Sequence, residues 1–196
     1  MFSYKKELYE IRFVSLYNTL VMPKRLNERE IFQKGRFLLR DIDLELDNGS
    51  KVTYQIWDKP DTAMIVPVTK EGDVIFVTEY HAAVDSLMLS LPKGRIEPNE
   101  DPTEIANKEL QEEIGYKAES IEKIATLTSI PGYISTRTHV FLARDLVESY
   151  LEGDEEWDMP ISMHPLKNFE ALIDNKKLTE ARIIASLYEA KRFLSR

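Results

Sequence analysis

The sequence contains no cysteine. That excludes a disulfide framework, a thiol nucleophile and a zinc–thiolate site, and it suits a reducing cytoplasm, the expected location. An excess of basic residues is missing too: 26 Lys and Arg stand against 34 Asp and Glu, for a formal net charge of −8. A broad nucleic-acid-binding surface needs clustered cations, so no nucleic-acid partner is expected. No apolar run approaches the roughly 20 residues that a membrane-spanning helix requires. Lys5 and Lys6 are followed by Glu7, Glu10 and Arg12, too polar for a signal-peptide core, so neither a leader nor a membrane partner is expected. Internal repeats and low-complexity tracts are absent.

A chain of 196 residues with 43% hydrophobic residues suits one domain with an appended subdomain and a sizeable core. Residues 1–34 fit neither a helical nor a strand period and read as an extension that packs on the domain or on a second subunit. From residue 36 the pattern clears. Ile42, Leu44 and Leu46 alternate with Asp41, Asp43, Glu45 and Asp47, Asn48-Gly49 marks a tight turn, and Val52, Tyr54 and Ile56 resume the alternation. This predicts a β-hairpin over 36–57. An isolated hairpin is marginal in water and needs a surface to pack on. Asp58 to Asp61 then read as a linker, dividing an N-terminal extension (1–58) from a main domain (59–196).

In the main domain, Ala63–Val68 and Val74–Thr78 read as buried strands around a turn at 70–73. Leu87, Leu89 and Leu91 alternate in a further strand leading into a loop at Pro92-Lys93-Gly94. Residues 121–130 and 138–144 are strand-like, 148–158 form an acidic loop, 161–164 a short strand and 168–174 a helix start. Residues 179–194 read as an amphipathic helix capped near Thr179. Pattern alone gives α/β or α+β.

The segment from Gly94 to Tyr116 carries the chemistry. Asp101 is a good N-cap, Pro102 suits the first helical position, Glu104 completes a capping-box pattern, and Gly115 is a natural stop. At 100° per residue, Glu109, Glu112 and Glu113 cover an arc of roughly 100°, beside an apolar stripe of Ala106, Leu110 and Ile114. Three carboxylates at this spacing repel one another. They form either a solvated acidic flank or a set of oxygen ligands for hard divalent cations.

The spacing resembles the Nudix box, G-x5-E-x7-R-E-U-x-E-E-x-G-U with U apolar. Here the fixed positions are Gly94, Glu100, Lys108, Glu109, Leu110, Glu112, Glu113, Gly115 and Tyr116, and only Lys108, standing where the family has arginine, departs. The resemblance implies the family's α/β/α sandwich around a mixed sheet. It also implies hydrolysis of a nucleoside diphosphate linked to another moiety, with magnesium or manganese as cofactor. Glu109 and Glu113 are then the expected main metal ligands, Glu112 a further ligand or the base, and the Lys93 carbonyl a completing ligand. Glu100 is expected behind the ligands or joined to the metal through water. A lysine offers a point charge in place of the planar arginine fork. Lys108 either pairs with Glu104 or Glu112 and orients it less rigidly, or the site is degraded and the chain binds without turnover.

A wider resemblance runs from Leu39 to Leu194, toward the ADP-compounds hydrolase and ADP-ribose pyrophosphatase branch. It rests on Asp47-Asn48-Gly49, Met64-Ile65-Val66-Pro67, Thr78-Glu79-Tyr80, Lys93-Gly94, Arg144-Asp145-Leu146, Leu151-Glu152-Gly153-Asp154-Glu155 and Glu180-Ala181-Arg182. By this resemblance the general base comes from the acidic loop, Glu155 first and Glu156 next, unless that loop is only solvated. His81 stands where other relatives carry an arginine, and it either donates to phosphate in that arginine's place or is a satisfied structural histidine. Trp57 and Tyr133 are candidates for stacking on a base, and Arg40 and Arg137 for the outer phosphate or sugar; core packing competes for the aromatics. His139 and His164 read as structural. The branch implies a homodimer assembled through the N-terminal hairpin. The expected substrates are ADP-ribose, NADH and nucleoside diphosphate sugars. The alternatives are GDP-mannose-type sugars or diadenosine polyphosphates, toward which Leu91-Pro92-Lys93-Gly94 also leans, or a nucleotide-binding regulator.

Overall fold

A computed structural model of the chain describes residues 21–153 and 159–196. Contacts divide it into two compact units, one ending at Asp58 and one beginning at Lys59.

The N-terminal unit is an antiparallel sheet in the order β1-β2-β3, with β1 at Lys24–Lys34, β2 at Phe37–Glu45 and β3 at Lys51–Asp58. The β2–β3 pairing is the hairpin read from Asn48-Gly49, and Gly49 takes φ of 80°. Strand β1 was not legible in the sequence. Every one of its residues is exposed, so no hydrophobic alternation marks it. Cross-strand charge replaces apolar pairing: the Arg29 guanidinium donates to Asp41 and Asp43 at 2.8 and 2.5 Å. Two register irregularities interrupt its ladder, which further blurs the period-2 signal. Residues 1–20 of the expected extension lie outside the described residues.

The main unit is built on strands β4 (Thr62–Pro67), β5 (Asp73–His81), β6 (Ser86–Ser90), β7 (Lys93–Arg95), β8 (Tyr116–Thr128), β9 (Arg137–Glu148) and β10 (Ile161–Pro165). Its helices are α1 (Pro102–Glu113), α2 (Glu170–Asp174) and α3 (Ala181–Leu194), with a 3-10 turn at Leu166–Asn168. One sheet runs β7-β4-β9-β8 and another β10-β5-β6. The first is mixed, because β4 and β9 are parallel while their outer neighbours are antiparallel.

Alternation along β4 and β9 explains the layers. Ala63, Ile65, Phe141 and Ala143 share a buried cluster with Ala106, Leu110 and Ile114 of the α1 segment. Met64, Val66, Val140 and Leu142 face the opposite way, into a cluster with Leu172, Ile183, Leu187 and Ala190. Successive side chains on a strand point to opposite faces, so two adjacent strands can be packed by helices on both sides. This is the α/β/α arrangement expected. No helix among the described residues is long and apolar enough to cross a membrane.

Three local expectations need correction. Lys93 and Gly94 lie in β7, paired to Met64 and Ala63, rather than in a loop; a three-residue strand is too short for a sequence period. Strand β8 starts at Tyr116, directly after Gly115, five residues before the apolar run at Ile121 that suggested it. The final helix begins at Ala181 with Glu180 at the cap position, whose side chain makes no capping bond. Glu180 accepts instead from Arg182 Nε at 2.5 Å.

Helix α1 has Asp101 as its N-cap and Pro102 as its first residue, as read. The Asp101 carboxylate accepts from the Thr103 and Glu104 amides at 2.7 and 3.3 Å, which holds its pKa below the usual carboxylate range. A depressed folded pKa contributes stability above the unfolded value, and that contribution is lost as pH falls through the folded one. Asp101→Ala is therefore expected to lower Tm by about 2–4 °C at neutral pH. The gap to wild type should close on acidification, which thermal unfolding at several pH values measures.

Candidate active site

The carboxylates of α1 meet β7 at its first two residues. Gly94 sits so close to the helix that a Cβ placed on it would lie 1.8 Å from Glu109 Oε1 and 2.0 Å from Glu109 Cδ. The glutamate occupies the space that a side chain at position 94 would take, so the absence of a Cβ is what lets Glu109 lie over the strand. One residue earlier, the Lys93 backbone N–H donates to Glu113 Oε1 at 3.3 Å. Glu109 and Glu113, one helical turn apart, are thus both seated on β7. The β7–β4 pairing and the Ile65 amide's bond to the Pro92 carbonyl at 2.8 Å hold that strand in place.

Glu112 faces another way. Its Oε2 accepts from Lys108 Nζ at 3.0 Å, with the lysine side chain 54% exposed and the glutamate 12%. Of the two partners expected for Lys108, the structure places it on Glu112. The segment after β9 then folds along the helix. Ser149 Oγ donates to Gln111 Oε1 at 2.8 Å, the Leu151 amide to the Gln111 carbonyl at 3.2 Å and the Ser149 amide to the Gly115 carbonyl at 2.9 Å. Gly153 lies against Glu112, where an added Cβ would come within 3.3 Å of Glu112 Cβ. Glu155 and Glu156 lie outside the described residues.

A second group lies where β5, β6 and β7 meet. Lys93 Nζ donates to Glu79 Oε2 and, at 3.2 Å, to Ser90 Oγ. His81 Nε2 stands 3.5 Å from the same Glu79 oxygen. The sequence singles out His81 for a role but not its partner Glu79, which enters only within the Thr78-Glu79-Tyr80 resemblance, because a contact between β5 and β7 leaves no mark in a short stretch of chain. The Glu97 amide donates to Glu100 Oε2 at 2.7 Å, so Glu100 braces the loop ahead of α1.

The remaining predicted residues lie on other elements. Tyr133 is 70% exposed in the loop before β9, and Arg137 begins that strand, its N–H donating to Asp61 Oδ1 at 2.8 Å. His139 Nε2 lies 2.9 Å from Asp61 Oδ2 and the His164 ring packs edge-on against Phe76, both structural as expected. Trp57 and Arg40 belong to the N-terminal unit. The Trp57 ring stacks on Phe37 with centroids 4.8 Å apart. Arg40 is engaged by Glu28 at 2.8 Å, Asp58 at 3.3 Å and Glu30 at 3.8 Å, which leaves that guanidinium little free charge for a phosphate.

Among the described residues, no three acidic or histidine side chains gather into a ready ligand cage. Glu109 lies over Gly94, Glu113 takes an amide and Glu112 takes Lys108, so mutual repulsion is relieved by parting. What remains is an all-oxygen donor set on one strand–helix junction, with Lys108 paired to one of its acids.

Comparison with known proteins gives the family. A model of the NUDIX domain matches residues 58–187. The ADP compounds hydrolase of Escherichia coli (strain K12) is 31% identical over 178 residues, covering 90% of this chain and 95% of the relative. An ADP-ribose pyrophosphatase of Bacillus subtilis (strain 168) is 30% identical over 166 residues, covering 81% and 90%. A crystal structure of an ADP compounds hydrolase superposes with a TM-score of 0.83 at 31% identity, covering 90% of this chain and 96% of that one. A domain model matching well over half of the chain, and relatives of 30% identity or more along most of both lengths, make this chain a member of the Nudix hydrolase family.

Proposed function

We propose that the chain hydrolyses the pyrophosphate bond of ADP-ribose-like nucleoside diphosphate compounds, releasing a nucleoside monophosphate and a phosphorylated remainder. The observation that carries this reading is the seating of Glu109 and Glu113 on Gly94 and the Lys93 amide. The names of the relatives, which act on ADP compounds and ADP-ribose, support the substrate class.

Nudix hydrolases work with divalent cations, and we propose magnesium or manganese here. The donor set fits. Magnesium takes one or two carboxylates and keeps the rest of its shell for waters and phosphate oxygens, so two glutamates with the Lys93 carbonyl suffice without a closed cage. Such a cation, when bound, offsets phosphate charge and acidifies water. The protein's own part is to hold the acids in place: Gly94 makes room for Glu109, and the Lys93 amide fixes Glu113. Lys108 keeps Glu112 oriented beside them. The general base is assigned to Glu155, with Glu156 next; it supports this that Gly153 already lies against Glu112. His81 and Arg137 are assigned to phosphate or sugar and Tyr133 to the base, with Trp57 and, less favourably, Arg40 as further contacts.

The test is turnover with magnesium or manganese on ADP-ribose, NADH, GDP-mannose and a diadenosine polyphosphate. Hydrolysis of ADP-ribose or NADH is expected to lead. A preference for GDP-mannose or the diadenosine compound would favour the alternative substrates, and no turnover of any would leave a nucleotide-binding regulator.

Lys108→Met separates orientation from stability. The lysine end of this i,i+4 pair is half exposed although the glutamate is not, so its loss should cost no more than about 1 kcal/mol and lower Tm by only about 2–4 °C, while kcat falls about tenfold. Equal kcat in the two proteins would remove the orienting role.

We also propose a homodimer. Strand β1 is exposed along its length, and the N-terminal sheet presents Phe32, Phe37 and Tyr54 more than half exposed, which favours burial against a second copy. Sedimentation at micromolar concentration should give twice the chain mass; a stable monomer would remove the proposal.

A further inference from the structure

We infer that Glu79 limits how much phosphate the site accepts, by holding the Lys93 ammonium; the inference rests on the pyrophosphatase reading above. Glu79 and His81 are two residues apart on β5 and so share one face of that strand. Lys93 is the residue whose backbone amide holds Glu113, so its flexible four-carbon stem is anchored on the strand that seats the candidate carboxylates. Its ammonium is taken by Glu79 and Ser90, while His81 faces the same Glu79 oxygen at 3.5 Å. A single carboxylate therefore draws on both basic side chains of this corner.

The charges are sheltered. The side chains of Lys93, Glu79 and His81 are 15%, 24% and 28% exposed, so salt screens them less than it would a surface pair. On the reading above, the charge of a diphosphate would be offset by a cation on the helix acids together with the contacts assigned to Arg137 and His81. A longer polyphosphate brings further negative charge, which then meets Glu79 and an ammonium already engaged. Discrimination by an unfavourable element of this kind needs no contact with the preferred substrate. Removing the Glu79 charge frees the ammonium and takes one anion from the corner, and both changes favour the more highly charged ligand.

The test compares wild type, Glu79→Gln and Glu79→Gln/Lys93→Met. The first readout is the ratio of kcat/KM for diadenosine tetraphosphate to that for ADP-ribose. The second is the Kd ratio of inorganic tripolyphosphate to pyrophosphate by calorimetry, which needs no turnover. Glu79→Gln is expected to shift both ratios toward the longer phosphate by about five- to tenfold, less at high salt, and the double variant should return them to within about twofold of wild type. Unchanged ratios in Glu79→Gln, or a shift that survives in the double variant, would overturn the inference. Far-UV circular dichroism checks the fold, and Glu79→Ala takes the place of the glutamine variant if that one is unfolded. A wild type that turns over none of the substrates sinks the pyrophosphatase reading instead, and the calorimetric ratio still decides whether Glu79 restrains phosphate binding.

Discussion

Glu113→Gln is expected to lower kcat by about three orders of magnitude or more with the fold intact. A cation that stabilises the charge of the reacting phosphates is worth several kcal/mol, and each 1.36 kcal/mol is about tenfold in rate. Glutamine keeps the shape and can still accept the Lys93 N–H through its carbonyl oxygen, so β7 and α1 should stay in register. What it loses is the full charge that a hard cation requires. Two measurements check this: kcat for ADP-ribose at saturating magnesium, and the magnesium concentration for half-maximal rate, expected to rise about tenfold or more. Unchanged turnover would remove Glu113 from the proposed ligands.

Gly94→Ala is expected to reach a similar end by displacing Glu109. The new Cβ would lie within 2.4 Å of three Glu109 side-chain atoms, far inside contact distance. The strand cannot retreat, because Lys93 and Arg95 are both paired to β4; the flexible glutamate must move instead. Activity should fall about a hundredfold to a thousandfold, in line with the loss of one charged group from a preorganised site. Stability should fall by no more than about 1–3 kcal/mol, as for other overpacked positions. Rate assays beside thermal unfolding separate the two effects. Full activity in the variant would show that Glu109 works equally well elsewhere.

Much of the site was legible because its residues are close in the chain. Glu109, Glu112 and Glu113 share one helix, and a 3.6-residue period places them relative to one another without knowledge of the fold. Asp101, Pro102 and Gly115 bound that helix by local rules of capping and backbone freedom, and the structure keeps all three. The hairpin at Asn48-Gly49 was legible for the same reason. Strand β1 was not: strands take their partners from elsewhere in the chain, and an exposed, charged strand carries no apolar alternation to announce itself.

Residue identity and spacing are enough for the Nudix box, the helix it forms, the oxygen donors on that helix and the family of reactions they serve. How those donors are held comes from the folded chain. It set Gly94 against Glu109 across the gap between β7 and α1, put the Lys93 amide on Glu113, and joined Lys108 to Glu112 rather than Glu104. It also closed Glu79, Lys93, Ser90 and His81 into one corner from three different strands. Local periodicity places neighbours on a helix or a strand; contacts between distant strands depend on register and layer packing, which no short window of sequence contains.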